Sequence, residues 1–222
     1  MKKTTDVRND FDEIARISER DGDPHSVYDG FLLRQVPPSA DRLLEVGCGT
    51  GTFSRALADR GHSVVAIDLS PEMIRVARSR TSPEQDVDFR CLDFLSSADA
   101  DQFDCVVTIG TLHHLPLDAS IDRMKALVRA GGVLIIHDIR DDSGFSDWIR
   151  LPLALVARGI SRLRSGRLSD SAALRRAFHD HGEGEQYLTM AQAVAIFHER
   201  LPGSRMTRHL QWRYTVVWQK PP

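Results

Sequence analysis

Short apolar runs and helix-like segments alternate through the first two thirds of the chain. Segments with helical spacing of apolar residues separate the runs, and Ser70 followed by Pro71 is a favourable helix start. Strands that alternate with helices predict a parallel sheet covered on both faces, because buried parallel strands are nearly continuous in apolar residues. The predicted strands are 43–46, 64–67, 87–91, 103–109 and 133–136.

Different patterns flank this alternation. Before it, apolar residues at helical spacing predict two helices that end at Pro37-Pro38, and we expect about the first ten residues, which are polar, to be frayed. After it, 144–178 and 192–201 have helical character. The chain then ends in two strand-like runs, 204–210 and 213–219, joined at Gln211-Trp212, which predict an antiparallel hairpin at the sheet edge.

We therefore expect one α/β domain over residues 1–222. Its predicted parts are an N-terminal helical cap at 1–38, a core at 40–140, a helical insertion at 144–189 and a C-terminal β-hairpin at 203–220.

Composition narrows the function classes. The 222 residues carry a formal net charge of −2, without the basic excess of a general nucleic-acid binder. The three cysteines, Cys48, Cys91 and Cys105, form no Cys-x-x-Cys pair, which disfavours a disulfide framework or a zinc ribbon. Neither a signal-peptide run nor a membrane-spanning run is visible. We expect a cytoplasmic protein without a nucleic-acid or membrane partner.

A glycine-rich loop is the decisive chemical feature. Gly47-Cys48-Gly49-Thr50-Gly51 follows the first predicted strand and precedes a helix, where glycine lets main chain approach a ligand closely. Asp68 ends the next strand, where a carboxylate can accept hydrogen bonds from ribose hydroxyls. A tight turn without a ligand is the weaker alternative. A dinucleotide fingerprint needs a third glycine where Thr52 stands, which disfavours a nicotinamide cofactor.

The loop resembles the first signature of the class I S-adenosylmethionine-dependent methyltransferases, and later segments resemble the family's other signatures in order. These segments are Val65–Met73, Cys91–Phe94, Phe103–Val107 with Leu112–Leu115, and Leu127–Leu134. The resemblance covers about residues 40–140 and makes this part a cofactor-binding core. It implies a Rossmann-like methyltransferase fold: an α/β, mostly parallel seven-stranded sheet with an antiparallel C-terminal hairpin and a helical lid insertion.

The resemblance also implies a cofactor, S-adenosyl-L-methionine, a product, S-adenosyl-L-homocysteine, and no metal. Glu45 would orient the methionine amino group, Asp68 would hold the ribose hydroxyls, and Asp93 would accept a hydrogen bond from the adenine amino group. The remaining cofactor contacts would come from the glycine loop, the adenine flank, the end of the fourth strand and a covering tyrosine: Gly47, Cys48, Gly49, Gly51, Leu69, Met73, Phe94, Ile109, Gly110 and Tyr28.

Methyl transfer is an in-line displacement, so the protein mainly aligns the reactants. A base is needed only when the acceptor must lose a proton. His113 and His114 are the candidate catalytic residues and His137 is a further one, because imidazole titrates near neutrality. Packing and loop hydrogen bonds are the more ordinary interpretation of His113 and His114.

Arginines cluster in the predicted insertion. They form either a solvated helix face or a lid that attracts an anionic acceptor. They are Arg150, Arg158, Arg162, Arg164, Arg167, Arg175 and Arg176.

We expect a small-molecule acceptor in secondary or cofactor metabolism, an anionic one if the clustered arginines form a lid, and a monomer or homodimer. The alternatives are a methyltransferase acting on RNA or protein and a non-catalytic module that binds the cofactor or its product. An Asn-Pro-Pro-Tyr-like sequence after the fourth strand would favour methylation of nucleic-acid bases, and Gly110-Thr111-Leu112-His113 stands there instead.

Overall fold

A seven-stranded sheet forms the centre of the fold in the computed structural model, which describes residues 3–23, 27–96, 101–141, 171–210 and 212–222. The strands are β1 (Arg42–Val46), β2 (Ser63–Asp68), β3 (Val87–Cys91), β4 (Phe103–Ile109), β5 (Val128–Ile139), β6 (Arg205–Arg208) and β7 (Arg213–Gln219). Their order is β3-β2-β1-β4-β5-β7-β6. The first five strands pair in parallel, and β7 is antiparallel to both of its neighbours. This sheet confirms the predicted fold class.

Seven described helices accompany the sheet: α1 (Thr4–Asp21), α2 (Asp29–Leu33), α3 (Thr52–Ala58), α4 (Pro71–Ser79), α5 (Leu117–Leu127), α6 (Ala172–Gly182) and α7 (Met190–Arg200). A 3-10 helix, Leu112–His114, follows β4. The expectation of a frayed N-terminus is wrong, because α1 begins at Thr4. Val7 is buried, and α1 packs against α4 and α6, so tertiary contacts fix a segment whose sequence is mostly polar.

Alternating side chains of the strands enter two apolar layers, one on each face of the sheet. Leu44 and Ile136 belong to the layer that α5 and α7 cover, where Phe197 is fully buried. Leu43 and Ile135 belong to the opposite layer, where the helices α2, α3 and α4 pack. The central strands β1, β2 and β4 are therefore buried on both faces, as their continuous apolar sequence predicts.

The fifth strand differs in length from its prediction. Helix α5 ends at Leu127, and β5 already begins at Val128, which pairs with Phe103. The register shifts before Cys105 pairs with Val133. The irregularity at 129–132 includes Gly131, which has a φ of 74°. The apolar pattern begins only after the glycines at 131 and 132, so it predicts a strand only within the regularly paired part of β5.

Most of the predicted insertion lies outside the described residues. These are residues 142–170, which include five of the clustered arginines, at 150, 158, 162, 164 and 167. Its described part contains α6, whose Leu174 packs with Ile14 of α1 and Val76 of α4. Within the described ranges, each helix is too short or too polar to cross a membrane.

Candidate functional site

A cavity of about 840 Å³ opens at the carboxyl ends of β1, β2 and β4. The chain leaves β1 toward β2 on one side and returns to β4 on the other, and ligands of open parallel sheets bind in the crevice at this reversal. Helices α1 and α6 contribute apolar side chains to the wall, among them Phe11 and Phe178. The site is therefore formed by the carboxyl ends of the strands, the glycine-rich loop and the two covering helices, α1 and α6.

The wall brings together both candidate catalytic histidines and every predicted cofactor residue except Gly51. The predicted residues that line the cavity are Tyr28, Glu45, Gly47, Cys48, Gly49, Asp68, Leu69, Met73, Asp93, Phe94, Ile109, Gly110, His113 and His114.

The three loop glycines have different surroundings. A Cβ at Gly47 would lie 2.1 Å from Thr111 Oγ1, and one at Gly51 would lie 2.7 Å from the Phe89 ring, so both positions exclude side chains for packing reasons. At Gly49 the nearest atom would be the Met73 sulfur at 4.0 Å. Gly49 is therefore the point where main chain is open to a ligand.

Asp68 fixes the loop while facing the cavity. Its Oδ2 atom accepts from the Gly49 N–H at 2.8 Å, and its Oδ1 atom accepts from the Ser70 N–H at 2.9 Å. Burial raises the pKa of this carboxyl group, and the backbone donors oppose that effect. A carboxylate offers about four acceptor positions, so Asp68 retains capacity for a ligand hydroxyl.

Glu45 is the most deeply buried acid in the wall, with 2% of its surface exposed. The Ser54 hydroxyl of α3 donates to its Oε2 atom. Burial raises the pKa of Glu45 to about 8, so the side chain is mostly neutral at neutral pH. A cationic ligand group beside it would favour the ionised form.

Asp93 begins the turn after β3. Its Oδ1 atom accepts from the Leu95 N–H at 3.0 Å, and its Oδ2 atom accepts from the Ser96 hydroxyl at 3.1 Å. These bonds hold the turn in place, and they place Phe94 in the cavity wall with its side chain buried.

His113 of the 3-10 helix after β4 and Asp138 near the end of β5 form a buried dyad. His113 Nδ1 lies 2.6 Å from Asp138 Oδ1, and the His113 main-chain N–H donates to Oδ2 at 2.9 Å. The Ile139 N–H also donates to Oδ1, at 2.8 Å. An ionised carboxylate only accepts, so beside it a neutral imidazole carries its proton on Nδ1 and its lone pair on Nε2. The dyad is thus an oriented proton acceptor in the wall of the cavity.

The other two candidate histidines have different environments. His114 Nε2 lies 3.2 Å from His181 Nε2 of α6, and its Nδ1 lies 3.5 Å from Glu185 Oε1. Both ring nitrogens of His114 therefore face protein groups. His137 Nδ1 lies 2.8 Å from Thr215 Oγ1, and burial lowers the pKa of His137 to about 3, which leaves it weakly basic.

Two contact chains connect the covering helices to the strand ends. His181 Nδ1 lies 2.9 Å from Asp10 Oδ2, so the His114–His181 contact extends to α1. The Tyr28 hydroxyl donates to the Leu210 carbonyl oxygen, and its ring centroid lies 5.0 Å from that of His137.

A group of possible metal ligands lies in the same region. Ligand atoms of His114, His181 and Glu185 lie within 4.8 Å of one another, close enough to share an ion. The expectation of a site without metal therefore stays a prediction.

Sequence reasoning missed several residues of the wall or its support. Asp138 directly follows His137 at the carboxyl end of β5, so its position along the strand could have revealed it. Arg213 begins β7, and its register opposite Ile139 depends on the antiparallel pairing. Asp10 and His181 lie outside the signature-bearing segments and carry no local signal.

Comparisons with known proteins agree with this geometry. A family model described as a methyltransferase domain matches residues 43–132. The ubiquinone biosynthesis O-methyltransferase of Xylella fastidiosa (strain 9a5c) is 32% identical over 146 residues, which cover 60% of this chain and 59% of that protein. Its namesake from Xanthomonas axonopodis pv. citri (strain 306) is 37% identical over 114 residues, which cover 49% of this chain and 47% of that protein. The chain thus spans less than two thirds of the curated relatives it matches.

Solved structures show the same fold. Magnesium protoporphyrin IX methyltransferase from Synechocystis PCC 6803, with bound S-adenosylhomocysteine, superposes with a TM-score of 0.63 at 17% identity, covering 98% of this chain and 99% of that chain. The N-methyltransferase NodS from Bradyrhizobium japonicum WM9 superposes with a TM-score of 0.54 at 19% identity, covering 87% of this chain and 94% of that chain. Residues 43–132 of this chain thus match a methyltransferase-domain model, and the chain shares the fold of these solved methyltransferases.

Proposed function

We propose that this protein is an S-adenosylmethionine-dependent methyltransferase that methylates a hydroxyl group of a small molecule in secondary or cofactor metabolism. The observation that carries the proposal is the His113–Asp138 dyad, whose His113 lies in the wall of the same cavity as the open main chain of Gly49. The proposal includes a single domain, in which the cap, the core, the described part of the insertion and the hairpin all contribute residues to this cavity.

The residues present fit the cofactor. The cavity is large enough for a nucleoside amino acid and a small acceptor, since ligand pockets typically range from about 300 to 1,000 Å³. Asp68 and Asp93 would bind the ribose hydroxyls and the adenine amino group, with Leu69 and Met73 packing on the ring. Glu45 would ionise beside the methionine ammonium. When bound, the cofactor supplies a methyl group already activated for displacement.

The dyad supplies what a hydroxyl acceptor lacks. A neutral hydroxyl is a weak nucleophile, and it must lose its proton as its oxygen bonds to the methyl carbon. His113 Nε2 accepts that proton, while Asp138 orients the ring through Nδ1 and stabilises the resulting imidazolium charge. Positioned general-base catalysis typically contributes about 10²–10⁴ in rate.

His114 and His137 have supporting roles in this proposal. His114 contacts His181, so it helps to hold α6 over the cavity. The low pKa of His137 makes it a poor proton acceptor at neutral pH. Of the three sequence candidates, His113 is the one whose ring nitrogen lies 2.6 Å from a carboxylate oxygen, and that hydrogen bond orients the ring.

Two observations support a small acceptor. Helices α1 and α6 add apolar residues to the wall opposite the strand ends, including Phe11, Ile14 and Phe178, and apolar walls with few polar groups are typical of small-molecule sites. The curated relatives described above are named for O-methylation in ubiquinone biosynthesis.

The test is incubation with S-adenosylmethionine and a panel of phenols, catechols and aromatic amines, with methylated product detected by mass spectrometry. We expect O-methylated product, and His113→Ala should lower its rate by about 10²–10⁴ while leaving the affinity for S-adenosylhomocysteine unchanged. His179→Ala is the matched control, because this α6 histidine is 76% exposed. Binding without turnover of any acceptor would support the non-catalytic alternative, and products on nitrogen alone would refute the hydroxyl assignment.

A further inference from the structure

Arg213 lies where the reversed strand meets the ends of the parallel strands. It begins β7, pairs with Ile139 at the end of β5, and lines the cavity. A Cβ at Gly110 would lie 3.8 Å from Arg213 Nη1, so the guanidinium stands beside the end of β4. This position is close to both the glycine-containing end of β4 and the His113–Asp138 dyad.

The guanidinium makes no hydrogen bond or ion pair with any residue in the described ranges. Asp138 is the acid whose charge it feels most, but both carboxylate oxygens of Asp138 already accept bonds from His113 and Ile139. The Tyr28 hydroxyl donates to the Leu210 carbonyl oxygen. The donors of Arg213 are therefore available to a ligand.

Burying a charged group in this wall without an oppositely charged partner costs free energy, because the group loses contact with water. Burial lowers the pKa of the Arg213 guanidinium, yet arginine stays protonated under physiological conditions. Its planar fork of donors matches the two oxygens of a carboxylate. The apolar surroundings strengthen such a pair, because the local dielectric is low.

We propose that Arg213 binds a carboxylate inside this cavity. Under the proposed function, on which this identification of the ligand rests, two molecules could supply it: the methyl acceptor or the amino-acid end of the cofactor. The chemistry is the same in both cases, and experiments can separate the sources.

The first experiment needs no ligand. Arg213→Met keeps a side chain of similar length and removes a largely buried charge that forms no direct ion pair with a described residue, so we expect it to raise the melting temperature of the ligand-free protein. Arg205→Met, at an exposed position of the neighbouring strand β6, is the control and should not raise it. A lower melting temperature for Arg213→Met would show that protein contacts hold the guanidinium, and would overturn the proposal.

The second experiment locates the carboxylate by calorimetry. S-adenosylhomocysteine is compared with its decarboxylated analogue, and 3,4-dihydroxybenzoate with catechol in the presence of S-adenosylhomocysteine. We expect one carboxylate ligand to bind Arg213→Met at least about tenfold more weakly than wild type, while its carboxylate-free counterpart binds both proteins equally. The ligand that loses affinity identifies the source.

The absence of any carboxylate-dependent loss in both pairs would overturn the proposal. Failure of the wild-type protein to bind S-adenosylhomocysteine would instead refute the proposed function. The melting experiment and the dihydroxybenzoate pair, repeated without cofactor, would still decide whether Arg213 is an anion site.

Discussion

Glu45 is expected to make the folded protein less stable as the pH rises. Its carboxyl group is almost fully buried, and burial raises its pKa from 4.5 to about 8. Between these values the folded state keeps the proton that the unfolded state releases, so the free energy of unfolding falls with increasing pH. At about 1.4 kcal/mol per pH unit, the difference between the two pKa values corresponds to a loss of at most about 5 kcal/mol in the free energy of unfolding. This loss is absent below pH 4.5 and complete above pH 8.

Glu45→Gln tests this reasoning, because glutamine has nearly the same shape, can keep a hydrogen bond to Ser54 and does not titrate. Urea unfolding at pH 5, 7 and 8.5 should show the wild-type protein losing several kcal/mol relative to Glu45→Gln across the series. Glu13→Gln on the exposed side of α1 is the control and should follow wild type. Parallel pH profiles for wild type and Glu45→Gln would refute the argument.

Three further predictions address the loop and the dyad. Asp68→Ala should weaken S-adenosylhomocysteine binding by more than about tenfold in calorimetry, because a charge-assisted acceptor is lost; unchanged affinity would remove Asp68 from the site. Gly51→Ala should unfold at a lower temperature than Gly61→Ala, because both glycines have positive φ but only Gly51 meets the Phe89 ring, which adds about 1–3 kcal/mol. Asp138→Asn should reduce kcat with the acceptor found above by about 10²–10⁴ while sparing cofactor affinity; equal losses in both would indicate a structural role.

The parallel part of the sheet could be predicted from the sequence, because short patterns of neighbouring residues indicate its strands and turns. The strands β1, β2 and β4 are short, mostly apolar runs, and the loop at 47–51 lies between a strand and a helix as expected. The start of α1 was missed because Val7 is fixed by tertiary contacts. The dyad partner Asp138 and the cation Arg213 depend on strand register, which pairs residues far apart in the chain.

The direction of β7 explains why the two sides of the cavity can vary independently. The parallel strands all point their carboxyl ends toward the cavity. The glycine loop, Asp68 and Asp93 lie at or directly after those ends. The first residue of an antiparallel strand lies at the same edge of the sheet, so Arg213 lies beside Gly110 although it belongs to the C-terminal hairpin. Substitutions at the start of β7 can therefore change the charge offered to an acceptor without altering the main chain that faces the cofactor. If Arg213 instead binds the carboxylate of the cofactor, the start of β7 is part of the cofactor site. Substitutions there would then change cofactor affinity as well.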